Sequence, residues 1–418
     1  MATVYDITIS QTVATISGTD STAILQNPGT VAFFNNDVGK SVFVDNFLYT
    51  TTDEENVIGE STGVVIPISN TNIVASPYTW YLGTDYKQIN AAGGYIKVAF
   101  NGTHLGVGVD TSQLAGISPS NILLRAYTDG STTPVSKTLA NVNNGEVVFS
   151  DNLANGNHYA IIYGGFSNIS NSRRSGNPPA SLMIKSVILS TGSEVKPLTG
   201  TAIALSDKKV IFYGDSITEG SLVSVAEKGY APTLGKDLGI EYGQLGYGGG
   251  RWNTVHPSGV TAFYTNSVTD NRRNYSENKS RLDSNNKYLD GAPTAIFNNY
   301  GINDARGNTG APTMRNAISG WLEAARAASS TATEIYMIVP FNYGNGSYDS
   351  TYKAAYLSGF QDYTTAHPDD DRVYLIDLGV KAWDAVDTNS TDDLHPNDAG
   401  SAILAGLIRD ALTPLVVS

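Results

Sequence analysis

The sequence predicts two architectures in one chain, an antiparallel β-sandwich followed by an α/β domain built on a parallel sheet with helices on both faces. Three observations carry that expectation. Charge is spread unevenly: 9 basic and 14 acidic residues precede position 205, whereas 17 and 25 follow it. The front half consists of short β-favouring runs parted by Asn- and Gly-rich turns, with no long run of helical period. In the second half, compact apolar runs alternate with stretches of period 3.6, as expected for buried parallel strands and their covering helices. A domain boundary near Leu205 follows.

In the front half, apolar and other side chains alternate through Tyr95-Ile96-Lys97-Val98-Ala99-Phe100, which reads as a strand. Further strands are expected at Ile122 to Tyr127, Glu146 to Phe149, Tyr159 to Tyr163 and Leu182 to Leu189. Asp129-Gly130, Asn143-Asn144-Gly145 and Asn155-Gly156-Asn157 supply the turns between them. The sandwich is expected over about residues 76–204. Residues 1–75 are also strand-like and fit a separate module, a part of the same sandwich or an attachment segment. Two short motifs there mimic catalytic signatures. Gly59-Glu60-Ser61-Thr62-Gly63 has the G-x-S-x-G form but runs into a strand-like stretch where that motif needs a helix, so it reads as a hairpin turn. Gly39-Lys40-Ser41 resembles the end of a phosphate-binding loop, yet Phe34 stands where the loop's first glycine belongs.

In the second half, strands are expected at Val210 to Tyr213, Ile240 to Leu245, Thr294 to Phe297, Ile335 to Val339 and Val373 to Ile376. Met314, Ala317, Ile318, Trp321, Leu322 and Ala325 form a helical stripe with Pro312 near its start. Ile403, Leu404, Leu407, Ile408, Ala411 and Leu412 form another, begun by Asn397 or Asp398 as a cap. In such a sheet the ligand site lies beyond the carboxyl ends of the strands, so residues with chemistry should follow the strands directly.

Composition narrows the function. The 418 residues are 41% hydrophobic and 16% charged, which excludes disorder along the whole length. A net charge of −13 is ill suited to nucleic-acid phosphates or anionic membranes. No run approaches 18 apolar residues, and no signal peptide is visible at the first residues. With no cysteine, the chain has neither disulfides nor a thiolate nucleophile, a composition compatible with life outside the cell.

Gly214-Asp215-Ser216-Ile217-Thr218 follows the first parallel strand and places a hydroxyl at a strand-to-loop turn. Ser216 is the candidate nucleophile, and it needs a base with a neutral imidazole's reach and pKa. His395 qualifies: Asp392-Asp393-Leu394-His395-Pro396 lies after the last strand and before the last helix, on the same sheet edge. A carboxylate three residues before a histidine can accept its Nδ1 proton and leave Nε2 for the serine. Asp392 has that spacing and Asp393 does not. Acyl transfer also needs donors for the developing oxyanion, worth roughly 3 to 4 kcal/mol each. Gly246-Tyr247-Gly248-Gly249-Gly250-Arg251-Trp252 offers backbone N–H groups after the second strand, and Tyr300-Gly301-Ile302-Asn303-Asp304 offers the Asn303 amide after the third.

Taken in order, Gly214-Asp215-Ser216, the glycine bend, Gly301-Ile302-Asn303-Asp304 and Asp392-x-x-His395 resemble the four sequence blocks of the SGNH (GDSL-type) hydrolases. The resemblance spans about residues 206–418. It implies a flavodoxin-like three-layer fold, Ser216 as nucleophile, His395 as base, Asp392 as its orienter, and Ser216 N–H, Gly249 N–H and the Asn303 amide as oxyanion donors. Gly248 and Gly250 flank Gly249, which is chosen by spacing. No metal or organic cofactor is implied. A jelly-roll-like sandwich ahead of such a domain is similar to two-domain carbohydrate esterases, implying an acetylated glycan or polysaccharide as substrate and an acyl-enzyme mechanism. The alternatives are a glycan-binding or phage tail protein carrying such a domain, and a lipase or thioesterase of the same superfamily.

Tyr247 and Trp252 either stack on a sugar at the site mouth or merely cover the loop. Arg251 to Asp290 is a long polar connection that fits a wall or lid over the substrate, or an inert excursion. His104, His158, His256 and His367 share no metal-ligand spacing and read as surface or loop residues. Asp369-Asp370-Asp371 reads as a solvated turn, and Asp215, Asp304 and Asp393 as shapers of their turns.

Overall fold

The computed structural model describes residues 63–82, 85–89, 91–111, 118–142, 145–166, 182–252, 288, 290–307, 310–341, 350–379 and 388–412, together with the backbone of short strands before residue 63. The two motifs around residues 39–41 and 59–63 lie largely outside the described residues, as do His256 and most of the Arg251 to Asp290 connection. Among the described residues no helix is long and apolar enough to cross a membrane.

The front half is a sandwich of two antiparallel sheets. Its main strands among the described residues are β1 (Val64–Pro67), β2 (Ile73–Ala75), β3 (Lys87–Ile89), β4 (Gly94–Asn101), β5 (Leu105–Asp110), β6 (Ile122–Thr128), β7 (Val135–Thr138), β8 (Glu146–Ser150), β9 (Asn157–Phe166) and β10 (Leu182–Leu189). One sheet runs β2-β4-β9-β6-β7. In the other, β10 carries β1 and β3 along one edge and β5 along the opposite edge, and β5 pairs with β8. Thus β1 and β2, ahead of residue 76, pair into the sandwich.

Alternation in β4 does two jobs, because both faces of this strand are covered. Ile96, Val98 and Phe100 fill the sandwich core with Leu124, Ile162, Val107 and Val187. Tyr95 and Lys97, on the opposite face, both reach Glu241 of the second domain, the Tyr95 hydroxyl at 2.5 Å and Lys97 Nζ at 2.5 Å. Arg125 in β6 makes a buried two-pronged pair with Glu227. Tyr127 donates to the same carboxylate at 2.9 Å. The few charged residues of the front half are thus spent partly on its junction with the second domain.

That domain is a five-stranded, wholly parallel sheet of β11 (Lys209–Gly214), β12 (Glu241–Gly246), β13 (Ala295–Asn299), β14 (Glu334–Ile338) and β15 (Val373–Ile376) in the order β12-β11-β13-β14-β15. Its α-helices among the described residues are α1 (Ser216–Glu219), α2 (Tyr230–Asp237), α3 (Ile302–Arg306), α4 (Ala311–Ala328), α5 (Ser350–Ala366) and α6 (Asp398–Ala411). The stripe expected on α4 is buried from Met314 to Ala325. On α6, Asn397 is the cap, accepting from Gly400 N–H at 3.0 Å, and Ile403 of the expected stripe is exposed while Leu404, Ala405 and Ile408 face the core. α5 escapes a periodicity search because Ala355, Tyr356, Gly359 and Tyr363, its buried positions, are small or amphipathic.

Candidate active site

All chemistry-bearing residues gather at the carboxyl edge of the parallel sheet. β11 ends at Gly214, and Asp215 caps α1 by accepting Ile217 N–H at 3.0 Å. Ser216 is therefore the first helical residue and is nearly enclosed. The end of β12 presses on this helix so closely that a Cβ on Gly246 would stand 2.3 Å from Glu219 N, leaving glycine as the residue that fits.

The glycine bend follows. Glu219, one turn after Ser216, accepts Gly248 N–H at 2.7 Å, and Gly250 N–H donates to Tyr247 O at 3.0 Å. Gly249 has φ of +74° and is the residue of this Gly-Gly-Gly run whose N–H meets no acceptor among the described residues. Asn303, buried at the start of α3, donates Nδ2 to Gly250 O at 3.2 Å and so holds the bend with one of its two amide protons. Asp304 accepts Trp252 N–H with both oxygens, at 3.1 and 2.9 Å.

The last segment brings in the imidazole. Asp392 Oδ1 accepts N–H bonds from Leu394 at 3.1 Å and His395 at 2.8 Å, an Asx turn completed by Asp393 at φ +64°. His395 Nδ1 lies 2.6 Å from Asp392 Oδ2, and its Nε2 lies 2.6 Å from Ser216 Oγ. An ionised carboxylate can only accept, so Nδ1 carries the proton and Nε2 receives the serine hydroxyl. Partial burial of Asp392 works to raise its pKa, but the backbone N–H and ring of His395 outweigh it and hold the carboxyl below its ordinary value. The structure thus brings Ser216, His395, Asp392, Gly249 and Asn303 to one edge.

Tyr247 and Trp252 require correction as sugar platforms. Both are almost completely buried. Trp252 packs among Tyr300, Trp321 and Tyr356 at centroid distances of 6.1, 6.0 and 6.2 Å, so its ring is a core residue that anchors the end of the bend. Of the other histidines, His104 contacts Glu146 at 2.7 Å, His158 contacts Asp129 at 2.6 Å and His367 contacts Glu323 at 2.5 Å. Asp370 is taken by Arg326, with bonds of 2.8 and 2.9 Å. Sequence reasoning missed Glu219, Glu227 and Arg125. Glu219 had a signal in its i+3 spacing from Ser216, whereas the Arg125–Glu227 pair spans 102 positions and had none.

Asp215 is fully buried, and its Oδ2 meets no donor among the described residues. Burial pushes its pKa up to about 7; the Ile217 N–H pulls the other way, and the nearby Asp304 charge adds to the rise. Unfolded, this carboxyl ionises near its ordinary value of 3.8. Between those pH values the folded chain keeps a proton that the unfolded chain releases, so this group's contribution to stability is lost as pH rises towards 7. Asp215→Asn keeps the cap acceptor and has no proton to lose. Its stability relative to the parent should rise from pH 4 to pH 7 by at most about 4 kcal/mol. Denaturation midpoints of both proteins at pH 5 and pH 8 test this, and an equal gap at both would refute it.

Residues 212–403 match the model of the GDSL-like lipase/acylhydrolase family. No curated protein matches the chain. Among solved structures the fold is similar to a family two carbohydrate esterase from Cellvibrio japonicus, with 16% identity, 85% of this chain and 98% of that chain covered, and a TM-score of 0.62. It is similar to a family two carbohydrate esterase from Clostridium thermocellum, solved in complex with cellohexaose, at 17% identity, 81% and 97% coverage and a TM-score of 0.61. An acetyl xylan esterase from the rumen bacterium Butyrivibrio proteoclasticus aligns at 16% identity, 84% and 98% coverage and a TM-score of 0.62. The match over residues 212–403 agrees with the SGNH resemblance read from the sequence, and the fold expected there, a β-sandwich ahead of a flavodoxin-like α/β domain, is the one observed.

Proposed function

We propose that the protein is a serine esterase that removes O-acetyl or other short acyl groups from a carbohydrate or polysaccharide through an acyl-enzyme. The observation that carries this reading is the unbroken line Ser216 Oγ, His395 Nε2, His395 Nδ1 and Asp392 Oδ2, with both contacts at 2.6 Å. His395 takes the Ser216 proton as Oγ attacks the ester carbonyl. Ser216 N–H, Gly249 N–H and the second amide proton of Asn303 receive the oxyanion. His395 then passes its proton to the leaving alcohol, and water repeats the cycle on the acyl-enzyme. Residues 205–418 are the catalytic unit in this reading.

The choice of sugar ester over lipid ester is supported by the sandwich paired with the hydrolase domain, an arrangement shared with structures named as carbohydrate esterases and an acetyl xylan esterase. An acidic chain without a membrane-crossing helix among its described residues suits a polysaccharide outside the cell. The test is hydrolysis of p-nitrophenyl esters from acetyl to octanoyl, followed by acetate release from acetylated polysaccharide. Acetyl should be the best acyl group, with kcat/KM falling at least about tenfold by octanoyl. Activity that rises with chain length would replace this reading with a lipase.

A further inference from the structure

The segment joining α1 to α2 is fastened at both ends to parts of the protein remote in sequence. Near its carboxyl end, Glu227 is almost fully buried and takes the Arg125 guanidinium with both oxygens, Nε donating at 2.6 Å, while Tyr127 adds a third bond. Lys236 Nζ donates to the Glu227 carbonyl at 2.8 Å. At its amino end, Ser221 N–H returns to Ser216 O at 3.0 Å. Between these points the segment grips the helix that follows the base. Ser224 N–H donates to Asp398 Oδ1 at 2.7 Å, Ser224 Oγ to Oδ2 at 2.6 Å and Lys228 Nζ to Oδ2 at 2.8 Å. Lys228 Nζ also donates to Ser224 Oγ at 3.1 Å.

Asp398 opens α6 three residues after His395, with Pro396 and the cap Asn397 between them. The Asx turn at Asp392 fixes the base relative to its orienter, but it sets nothing about where that unit sits relative to Ser216. The grip on Asp398 does, because one end of the same segment is tied to Ser216 and the other to the sandwich.

We infer that residues 221–229 act as a strap that holds the His395 turn in register with Ser216, with Ser224, Lys228 and Asp398 as positioning residues and Arg125 as the anchor in the sandwich. The inference rests on the esterase reading above. The Lys228–Asp398 pair is half-exposed, so its loss costs little global stability, whereas a small displacement of the base costs much rate.

The experiment uses the full chain with Ser224→Ala and Lys228→Met, and reads three quantities: labelling of Ser216 by a fluorophosphonate, kcat and KM on p-nitrophenyl acetate, and the thermal midpoint. Each variant should label and turn over about tenfold more slowly with KM unchanged and the midpoint moved by no more than about 2 °C. Lys228→Arg, which keeps the charge, should restore the rate. Parental rates in both variants, or losses that track a fall in midpoint, overturn the strap. Absence of labelling at Ser216 in the parent protein would instead overturn the esterase reading itself.

Discussion

Ser216→Ala should lower kcat by roughly 10⁴- to 10⁶-fold while the protein keeps its fold. On the proposed mechanism the loss is large because the hydroxyl would form the acyl-enzyme, and water at the same place lacks its fixed position against His395 Nε2. The fold is expected to survive because Asp215, and not Ser216, caps α1, and because the change removes one hydroxyl from a nearly closed site. A stability change within about 1 kcal/mol is expected. Turnover of p-nitrophenyl acetate and the thermal midpoint are the two readings. A folded variant retaining more than about a hundredth of the parent rate would remove Ser216 as nucleophile.

Asp392→Asn is expected to lower kcat by roughly 10²- to 10⁴-fold, the upper figure being that measured for the equivalent change in a serine protease triad. The substitution preserves shape and changes the proton. An asparagine oxygen can still accept the N–H bonds of Leu394 and His395, but its amide nitrogen then faces Nδ1 and donates to it. The ring is driven to the tautomer with the proton on Nε2, which can no longer take one from Ser216. Asp392 is 43% exposed in its side chain, so water can partly compensate, and the lower end of the range reflects that. A variant within about threefold of the parent in kcat would show that Ser216 and His395 act as a dyad and would remove Asp392 from the chemistry.

Much of this site was legible because its parts obey local rules. The run Val373 to Ile376 coincides with β15, and the other four parallel strands differ from their expected bounds by a few terminal residues, because strands buried on both faces leave continuous apolar runs. The triad candidates follow strand ends in order, where a parallel sheet gathers its site. Asp392 and His395 are three residues apart, so one Asx turn brings their side chains together.

What escaped reading depended on partners distant in sequence. Tyr247 and Trp252 looked like sugar platforms beside a glycine bend, and only the folded chain decides otherwise: both are buried, Trp252 among Tyr300, Trp321 and Tyr356. Arg125, Tyr95 and Lys97 read as ordinary members of alternating strands, yet they bind Glu227 and Glu241 across the domain junction. By itself the sequence determined the two architectures and the sheet edge at which the candidate residues gather, since periodicity, turn chemistry and short spacings are local. Tertiary structure alone decided which N–H of the glycine bend meets no acceptor among the described residues, which aromatics are hidden and how the sandwich grips the second domain. Those outcomes rest mainly on contacts between residues tens to hundreds of positions apart, and such contacts leave no period in the chain.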